Sequence, residues 1–201
     1  MRRVWLDVGA NRGGHPLAVA RRDQSVQVFA FEPNLALAAG NFGRVSNYVV
    51  VAAAVAEFDG VASFRFTDDD TGNSLLPIQP DNAERWRGGT LTVRETVPVP
   101  TIRLDTFMDA VRVDIVEWLF IDAQGSDLAV LKSAGNRLAD IENIRVEVAV
   151  TPYPVYSGAP TKDEILSHLA HSGFVLTGTE PASDEQEEYL TFTRTGRPAP
   201  T

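Results

Sequence analysis

Short apolar runs alternate with stretches of helical character along most of the chain. Because the runs are almost continuously apolar, they are typical of parallel β-strands that are covered on both faces. The predicted strands cover residues 4–8, 26–31, 48–55, 118–122 and 144–150. The helices predicted between them cover residues 17–22, 35–45 and 128–138. This order indicates an α/β fold with a doubly wound sheet.

The middle and the end of the chain depart from this alternation. Residues 61–66 and 91–99 predict a β-rich insertion, which we place at about 61–100. Thr161 and Glu164 have the spacing of a capping box, and Gly173 is positioned to end that helix. Two strand-like runs, 174–179 and 189–194, then predict an antiparallel hairpin at one sheet edge. We expect one domain over 1–195 and a disordered tail over 196–201.

Composition limits the class of protein. The 201 residues suit one domain, and 44% hydrophobic with 22% charged residues is ordinary for a globular chain. The net charge of −9 disfavours nucleic acid and anionic membranes as partners, and makes a neutral or cationic ligand easier to accommodate. There is no cysteine, and no apolar stretch is long enough for a signal peptide or a membrane span. We therefore expect a cytoplasmic protein.

A glycine-rich turn follows the first strand. The segment LDVGANRGGHP places Asp7, Gly9 and Gly13 at the carboxyl end of that strand, where open α/β sheets bind their ligands. Glycines there allow close approach of the backbone to a ligand, and the next helix offers unpaired N–H groups. Glu32 ends the second strand about 20 residues later, the separation at which an acid binds a ribose diol. Together they predict a cofactor that contains ribose.

The glycine spacing discriminates between cofactors. Dinucleotide sites carry G-x-G-x-x-G, and here Asn11 stands at the second glycine. This departure disfavours NAD and FAD, whose pyrophosphate needs that close approach. The D-x-G-x-x-x-G turn suits S-adenosylmethionine better, with Asp7 facing its amino group directly or through water.

Four segments and their order resemble one known family. LDVGANRG, FAFEPN, TIRLDTF and FIDAQGSDLAVLKSAG, followed by RVEV, are similar to the FkbM family of S-adenosylmethionine-dependent methyltransferases, over nearly the whole chain. The fourth segment is the most specific. The resemblance implies a class I, Rossmann-like fold, with a seven-stranded sheet whose last strand is antiparallel. It also implies O-methylation of sugars or natural-product hydroxyls.

The resemblance also implies roles for individual residues at the ends of the strands. By it, the methionine part of the cofactor would contact the turn after the first strand: Asp7, Gly9, Ala10, Asn11 and Gly13. Glu32 would bind the ribose, with Pro33 and Asn34 beside the adenine. The end of the third strand would border the adenine through Ala53, Ala54 and Val55. Asp122 and Gln124 would lie beneath the methyl group.

The chain departs from the family pattern at two residues and at its start. Gln124 stands where an acid is more usual, and Asp127 where glutamate is. The change at Gln124 removes a charge beside the expected reaction centre and argues against a base at that position. We also expect the inserted loop, or the second subunit of a homodimer, to close the site in place of the segment that commonly precedes the first strand.

Methyl transfer to an aliphatic hydroxyl calls for a base or a metal ion near the acceptor. Asp122 and Glu147, at the ends of the fourth and fifth strands, are the candidate carboxylates, acting directly or sharing Mg²⁺. His15 is a candidate base or a surface histidine. His168 and His171 are three residues apart on the capped helix, and we interpret them as solvated.

Several residues outside the strand ends are candidates for contact with the acceptor. Tyr153 and Tyr156, in the proline-stiffened segment TPYPVYSGAP, would suit a polyhydroxylated acceptor such as a saccharide, or pack onto the core. Ser74 and Trp86 are weaker candidates. We interpret 68–70 as a solvated loop, which could alternatively fold over the site.

Two other functions remain open at this point. One is a nicotinamide-dependent oxidoreductase, which the glycine spacing disfavours. The other is a non-catalytic cofactor-binding subunit, which the joint presence of Asp7, Glu32 and Asp122 disfavours. The identity of the acceptor depends on loops that the motifs do not describe.

Overall fold

A computed structural model describes residues 2–41, 43–85, 89–183 and 186–196. In these residues the strands are β1 Arg3–Val8, β2 Val26–Phe31, β3 Tyr48–Val51, β4 Ala54–Val55, β5 Gly60–Thr67, β6 Val93–Ile102, β7 Val116–Ile121, β8 Ile141–Ala149, β9 Phe174–Ser183 and β10 Glu187–Arg194. The α-helices are α1 Gly14–Arg22, α2 Leu35–Asn41, α3 Leu104–Ala110, α4 Asp127–Ser133 and α5 Lys162–His171. The predicted tail residues 197–201 lie outside this description.

The described residues form a seven-stranded sheet in the order β3-β2-β1-β7-β8-β10-β9. Strands β3, β2, β1, β7 and β8 pair in parallel, whereas β10 runs antiparallel to both β8 and β9. The predicted doubly wound sheet with an antiparallel last strand is therefore confirmed. Its carboxyl edge brings together the ends of β1, β2, β7 and β8, which carry the residues singled out in the sequence.

A second, three-stranded sheet has the order β4-β6-β5. It corrects one predicted strand: residues 48–55 do not form a single strand, because the chain turns after Val51 and continues as β4 in the second sheet. The Ala53 N–H donates to the Val51 carbonyl at this turn, and β4 then pairs in parallel with β6. The second sheet therefore begins at Ala54, before the predicted start of the insertion at about residue 61. The limits of the domain stay a prediction.

Three helices differ from their predicted bounds. The first, predicted over 17–22, begins earlier, at Gly14. Residues 128–138 do not form one helix, because α4 ends at Ser133 and a 3-10 helix follows over Gly135–Asp140. Gly135 has φ +49°, a left-handed conformation that ends the α-helix. The predicted helix over 35–45 is the shorter α2, and α3 was not predicted at all.

Two hydrophobic layers enclose the main sheet. Alternate residues of β1 point to opposite faces: Leu6 and Val8 pack with α3, α4 and α5, whereas Trp5 packs with Leu17 and Ala20 of α1. The N-terminus of α5 has the predicted capping box, with both reciprocal Thr161–Glu164 hydrogen bonds present. None of the helices within the described residues has the length and apolar character that crossing a membrane requires.

Candidate active site

The ends of β1 and β7 touch through a glycine. The Asp122 N–H donates to the Val8 carbonyl at 3.0 Å, and Gly9 has φ +78°. A Cβ at Gly9 would lie 1.8 Å from the Asp122 carbonyl oxygen, so no other residue fits without separating the strands. This contact keeps the glycine turn and Asp122 in one place.

The rest of the glycine turn is fixed by backbone contacts. The Gly9 and Ala10 N–H groups both donate to the Phe31 carbonyl at 3.1 Å. Asn11 has φ +44°, and Gly13, at φ +102°, precedes α1 directly against Leu17. Gly13 thus serves the start of the helix and is not among the residues that line a pocket.

Glu32 joins the first two strand ends. Its carboxylate is 5% exposed and accepts hydrogen bonds from the Asn11 N–H at 2.8 Å and the Asn34 N–H at 2.7 Å. Burial raises its pKa. Each carboxylate oxygen keeps a free lone pair that a ribose hydroxyl could use. The Asn34 side chain instead accepts from the Ala36 and Leu37 N–H groups, so it caps α2.

One pocket lies over these strand ends. Its polar lining comes from Gly9, Asn11, Glu32, Asp70, Thr71, Asn73, Asp122, Gln124 and Ser126. Its apolar lining comes from Val8, Phe31, Pro33, Ala54, Val55, Phe64, Leu75 and Ala123. We call this the cofactor pocket; it brings together eight of the residues that the sequence predicts for cofactor binding.

The loop at 68–74 covers this pocket. The Asn11 side-chain amide donates to the Asp70 carbonyl at 3.1 Å, and Arg12 forms an ion pair with Asp70. Ser74, which is 1% exposed, donates to the Gln124 carbonyl at 2.7 Å. The favoured interpretation of 68–70 as a solvated loop was therefore wrong, and the alternative of a loop folded over the site is correct. Ser74 anchors this loop and does not line a pocket.

The Gln124 side chain joins three polar side chains near the ends of β7 and β8 through hydrogen bonds. The Gln124 amide donates to Asp122 at 2.6 Å and to Glu147 at 3.0 Å, and its Oε1 accepts from the Tyr156 hydroxyl at 2.9 Å. Gln124 has φ +49°. The buried Asp127 carboxylate accepts from the Ala123 and Gly125 N–H groups at 2.8 and 3.1 Å, which fixes this strained turn.

Burial separates the two candidate carboxylates. Glu147 is 5% exposed and hydrogen-bonds to Asp122, and burial together with the Asp122 charge raises its pKa far above the usual range. A carboxyl that keeps its proton at neutral pH donates a hydrogen bond and does not accept a proton. Glu147 is thus unsuited to the predicted role of base, and Asp122 is the carboxylate left facing the pockets.

A second pocket adjoins the first at Val8, Gly9, Asn11 and Asp122, which line both. Its remaining lining comprises Asp7, Ala10, Arg12, Gly14, His15, Pro16, Phe120, Ile121, Arg145 and Tyr189. We call it the acceptor pocket. Asp7 borders this pocket and not the cofactor pocket; its carboxylate accepts from the Tyr48 hydroxyl at 3.1 Å, and burial raises the pKa of Asp7 to about 7.

His15 is exposed at the start of α1. Its ring stacks on Trp5 with centroids 6.0 Å apart and lies 5.8 Å from Phe120. It therefore lines the acceptor pocket next to an aromatic group.

The predicted acceptor residues are not brought together. Tyr156 is 4% exposed and packs with Leu91 and Val155, so the packed alternative describes it better. Tyr153 is 48% exposed and is not among the residues that line the cofactor pocket or the acceptor pocket. Trp86 lies outside the described residues.

The predicted metal pair has other partners. Asp122 and Glu147 share the Gln124 amide and hydrogen-bond to each other. Within the ranges that the structure describes, no three His, Cys, Asp or Glu side chains are grouped to hold a metal ion. His168 and His171 are both on α5, and the His171 Nδ1 is 2.7 Å from the Ser167 carbonyl of its own helix.

Most of the chain matches one known protein family. Residues 7–176 match the family described as "Methyltransferase FkbM domain". The chain belongs to the FkbM methyltransferase family. The predicted family is therefore confirmed. No curated protein matches the chain.

Solved structures with TM-scores of 0.50 or more share the fold of this FkbM protein. A Streptococcus agalactiae protein of the NADB-Rossmann superfamily has TM-score 0.51 and 13% identity over 99% of this chain and 64% of its own. Magnesium protoporphyrin IX methyltransferase from Synechocystis PCC 6803, with bound S-adenosylmethionine, has TM-score 0.50 and 9% identity over 96% of this chain and 71% of its own. TrmK of M. capricolum, in complex with S-adenosylhomocysteine, has TM-score 0.46 and 9% identity over 96% of this chain and 63% of its own.

The FkbM chain thus spans about two thirds of the length of these structures. Family and fold together are those of S-adenosylmethionine-dependent class I methyltransferases. At that level the predicted cofactor is confirmed. The acceptor and the atom methylated are separate questions.

Sequence reasoning missed several pocket residues of this FkbM protein. Phe64 and Leu75 of the insertion complete the apolar wall of the cofactor pocket, and Arg145 and Tyr189 line the acceptor pocket. The RVEV segment contains Arg145, but the position at a strand end draws attention only to its glutamate, Glu147. The alternation along 61–66 was the one signal that could have identified Phe64 as inward-facing.

Proposed function

We propose that this protein is an S-adenosylmethionine-dependent O-methyltransferase acting on a hydroxyl of a small polyhydroxylated acceptor, a saccharide. One observation carries the proposal: the cofactor pocket and the acceptor pocket meet at Gly9, Asn11 and Asp122. A carboxylate at the junction of two pockets is positioned to touch the reacting hydroxyl. The flat Phe120 ring with polar Arg145 and Tyr189 suits a sugar.

The cofactor pocket has the lining that an adenosine needs. Glu32 offers carboxylate oxygens to the ribose, and Ala54, Val55 and Phe64 offer an apolar wall to the adenine. Gly9 contributes backbone atoms to the lining of this pocket. When bound, S-adenosylmethionine supplies an electrophilic methyl group for an in-line displacement.

The chain's own residues handle the acceptor and its proton. Asp122 accepts the proton of the hydroxyl, while the Gln124 amide at 2.6 Å fixes the orientation of its carboxylate. Glu147 keeps its own proton and supports Asp122 through their hydrogen bond. His15 lines the acceptor pocket and contacts the acceptor ring.

A divalent ion was the other predicted route for the proton. The Gln124 amide donates to both candidate carboxylates, and a cation between them would have to displace that donor. We therefore propose that Asp122 acts directly. Turnover should persist in EDTA and gain nothing from added Mg²⁺; loss of activity in EDTA that Mg²⁺ restores would assign the step to a metal.

Calorimetry separates this proposal from the two other functions. Titration with S-adenosylmethionine, S-adenosylhomocysteine and NAD should give binding of the first two only. Binding of NAD alone would favour an oxidoreductase, and binding of none would contradict a cofactor-dependent function. Binding of S-adenosylmethionine without methyl transfer to any hydroxylated acceptor would favour a non-catalytic subunit.

A further inference from the structure

The acceptor pocket contains positive charge in an acidic protein. The chain has a net charge of −9, yet Arg12 and Arg145 both line this pocket. By contrast, the neighbouring pocket behind Tyr156 is lined by Asp127, Glu147 and Glu187. Asp7 and Asp122 also line the acceptor pocket, so its arginines equal its aspartates in number, whereas acidic residues exceed basic ones over the whole chain.

Arg145 lies in a row of side chains that crosses the sheet. The strand registers pair Asp7 with Phe120 and Phe120 with Arg145, so all three side chains are on the same face. The next row on that face contains Gly9, Asp122 and Glu147. Arg145 thus stands one row below the junction of the two pockets and on the neighbouring strand to Asp122.

The Arg145 guanidinium is held in place but not saturated. Its plane lies over the Tyr189 ring, 4.1 Å from the centroid, and its Nη2 donates to Glu180 at 2.9 Å. Glu180 is itself largely in solvent, with 66% of its side chain exposed. The Arg145 Nε–H is buried and has no hydrogen-bond partner among the described residues. A buried charged donor without a partner beside an open pocket is costly unless a ligand accepts from it.

The other charged groups named at this pocket already have partners within the protein. Arg12 forms an ion pair with Asp70 of the covering loop, at the cofactor side. Asp7 accepts from Tyr48, and Asp122 accepts from Gln124. Arg145 is the pocket arginine whose Nε–H is buried without a partner among the described residues, so we assign it to a negatively charged substituent, while Asp122 remains for the reacting hydroxyl.

We infer that the methyl acceptor is an acid: a polyhydroxylated compound whose carboxylate or phosphate oxyanion is bound by Arg145 while a hydroxyl faces Asp122. The inference rests on the proposed function, because it names the substrate class of the same site. A planar guanidinium with a fixed orientation suits either oxyanion, since both accept two parallel N–H bonds.

The Arg145 Nε–H is a direct probe of this contact. The full-length protein, labelled with ¹⁵N and saturated with S-adenosylhomocysteine, would be titrated with methyl glucuronoside, glucose 6-phosphate and methyl glucoside. We expect the Nε–H resonance, assigned by its absence in Arg145→Lys, to shift in a saturable way with one or both acids and not with the neutral sugar. The first two compounds distinguish carboxylate from phosphate; no shift with either overturns the inference.

Variants provide a second measurement on the same samples. Arg145→Gln should weaken binding of the acid that shifts the resonance by about tenfold or more, since a charge-assisted hydrogen bond is lost. Arg112→Gln, an exposed arginine before β7, is the matched control and should change nothing. Glu180→Gln frees Arg145 of its carboxylate partner and should leave acid binding equal or tighter.

Three other results have assigned meanings. Unchanged acid affinity in folded Arg145→Gln overturns the inference. A shift of the Nε–H on adding S-adenosylhomocysteine alone, with weaker binding of that compound by Arg145→Gln, assigns the arginine to the cofactor carboxylate and also overturns it. Failure of the unaltered protein to bind S-adenosylhomocysteine contradicts the proposed function itself, a result separable from the other two.

Discussion

At the level of single residues, Asp122 and Glu147 carry the same functional group in different surroundings. Asp122 is partly exposed at the junction of two pockets, whereas Glu147 is 5% exposed and adjoins the Asp122 charge. Gln124, which replaces the more usual acid of the family motif, donates to both. An acid at position 124 would add a third carboxylate to this cluster; the amide instead supplies a donor.

Exchange of each carboxyl for its amide should separate their roles. Asp122→Asn keeps the shape and removes the base, so we expect kcat to fall about 10²–10⁴-fold. Glu147→Gln resembles the protonated carboxyl and should keep kcat within a small factor. Initial rates with labelled S-adenosylmethionine measure both, and the reverse pattern would make Glu147 the base.

Glu32 is expected to dominate affinity for the cofactor's ribose. Glu32→Ala should weaken binding of S-adenosylmethionine by about 1–3 kcal/mol, because charge-assisted hydrogen bonds are lost. Glu32→Gln keeps the volume of the side chain, and its affinity for S-adenosylmethionine should lie between those of Glu32→Ala and the unaltered protein. Calorimetry gives the dissociation constants, and unchanged affinity in Glu32→Ala would remove the ribose assignment.

The buried Asp7 should make stability depend on pH. Its folded pKa of about 7 lies above the value of about 3.9 in an unfolded chain, so the folded state holds more protons between these values. The free energy of unfolding should therefore decrease as pH rises from about 4 to 7. Asp7→Asn, which can still accept from Tyr48, should reduce this decrease.

Urea unfolding at several pH values tests the Asp7 effect. Between pH 4 and pH 8, the free energy of unfolding of Asp7→Asn should rise by about 1–4 kcal/mol relative to that of the unaltered protein. Asp114→Asn changes an exposed aspartate before β7 and serves as the control. Parallel pH profiles for all three proteins would contradict the assignment.

At the level of elements, local signals in the sequence predicted most strands and the capped helix α5. Strand β2 has its predicted bounds, and Thr161 makes its predicted cap, because apolar periodicity and capping residues act within a few positions. The split of residues 48–55 was not predictable, since the alanines that surround the turn continue the apolar run. The covering loop depends on the contact between Ser74 and Gln124, 50 positions apart, which no local pattern encodes.

The contact between β1 and β7 should be intolerant of any side chain. In Gly9→Ala the Cβ would meet the Asp122 carbonyl, and the positive φ adds strain. We expect a loss of about 2–4 kcal/mol in the free energy of unfolding, together with weaker binding of S-adenosylmethionine. Gly40→Ala, in α2, is the control, because a Cβ there meets no atom within 4 Å and its φ is not positive. Equal stability of the two variants in urea would disagree with this contact.

At the level of the whole molecule, the net charge does not determine which charges line the acceptor pocket. The charge of −9 predicts a neutral or cationic ligand, and that stays a prediction; the pocket lining contains Arg12 and Arg145 beside Asp7 and Asp122. Charge totals carry no information on where individual charges converge, and strands that are distant in sequence bring these residues together. The predicted homodimer and the cytoplasmic location stay predictions; sedimentation of the purified protein would measure the first.

The covering loop also has a kinetic consequence. Asp70 is bonded to Asn11 and Arg12, which belong to the turn after β1, so under the proposed function we expect spent cofactor to leave only after these contacts break. Product escape, and not the displacement itself, would then limit the steady-state rate, and a burst of methylated product would precede it. Because an exposed ion pair is screened by salt, the slow phase after the burst should accelerate as ionic strength rises.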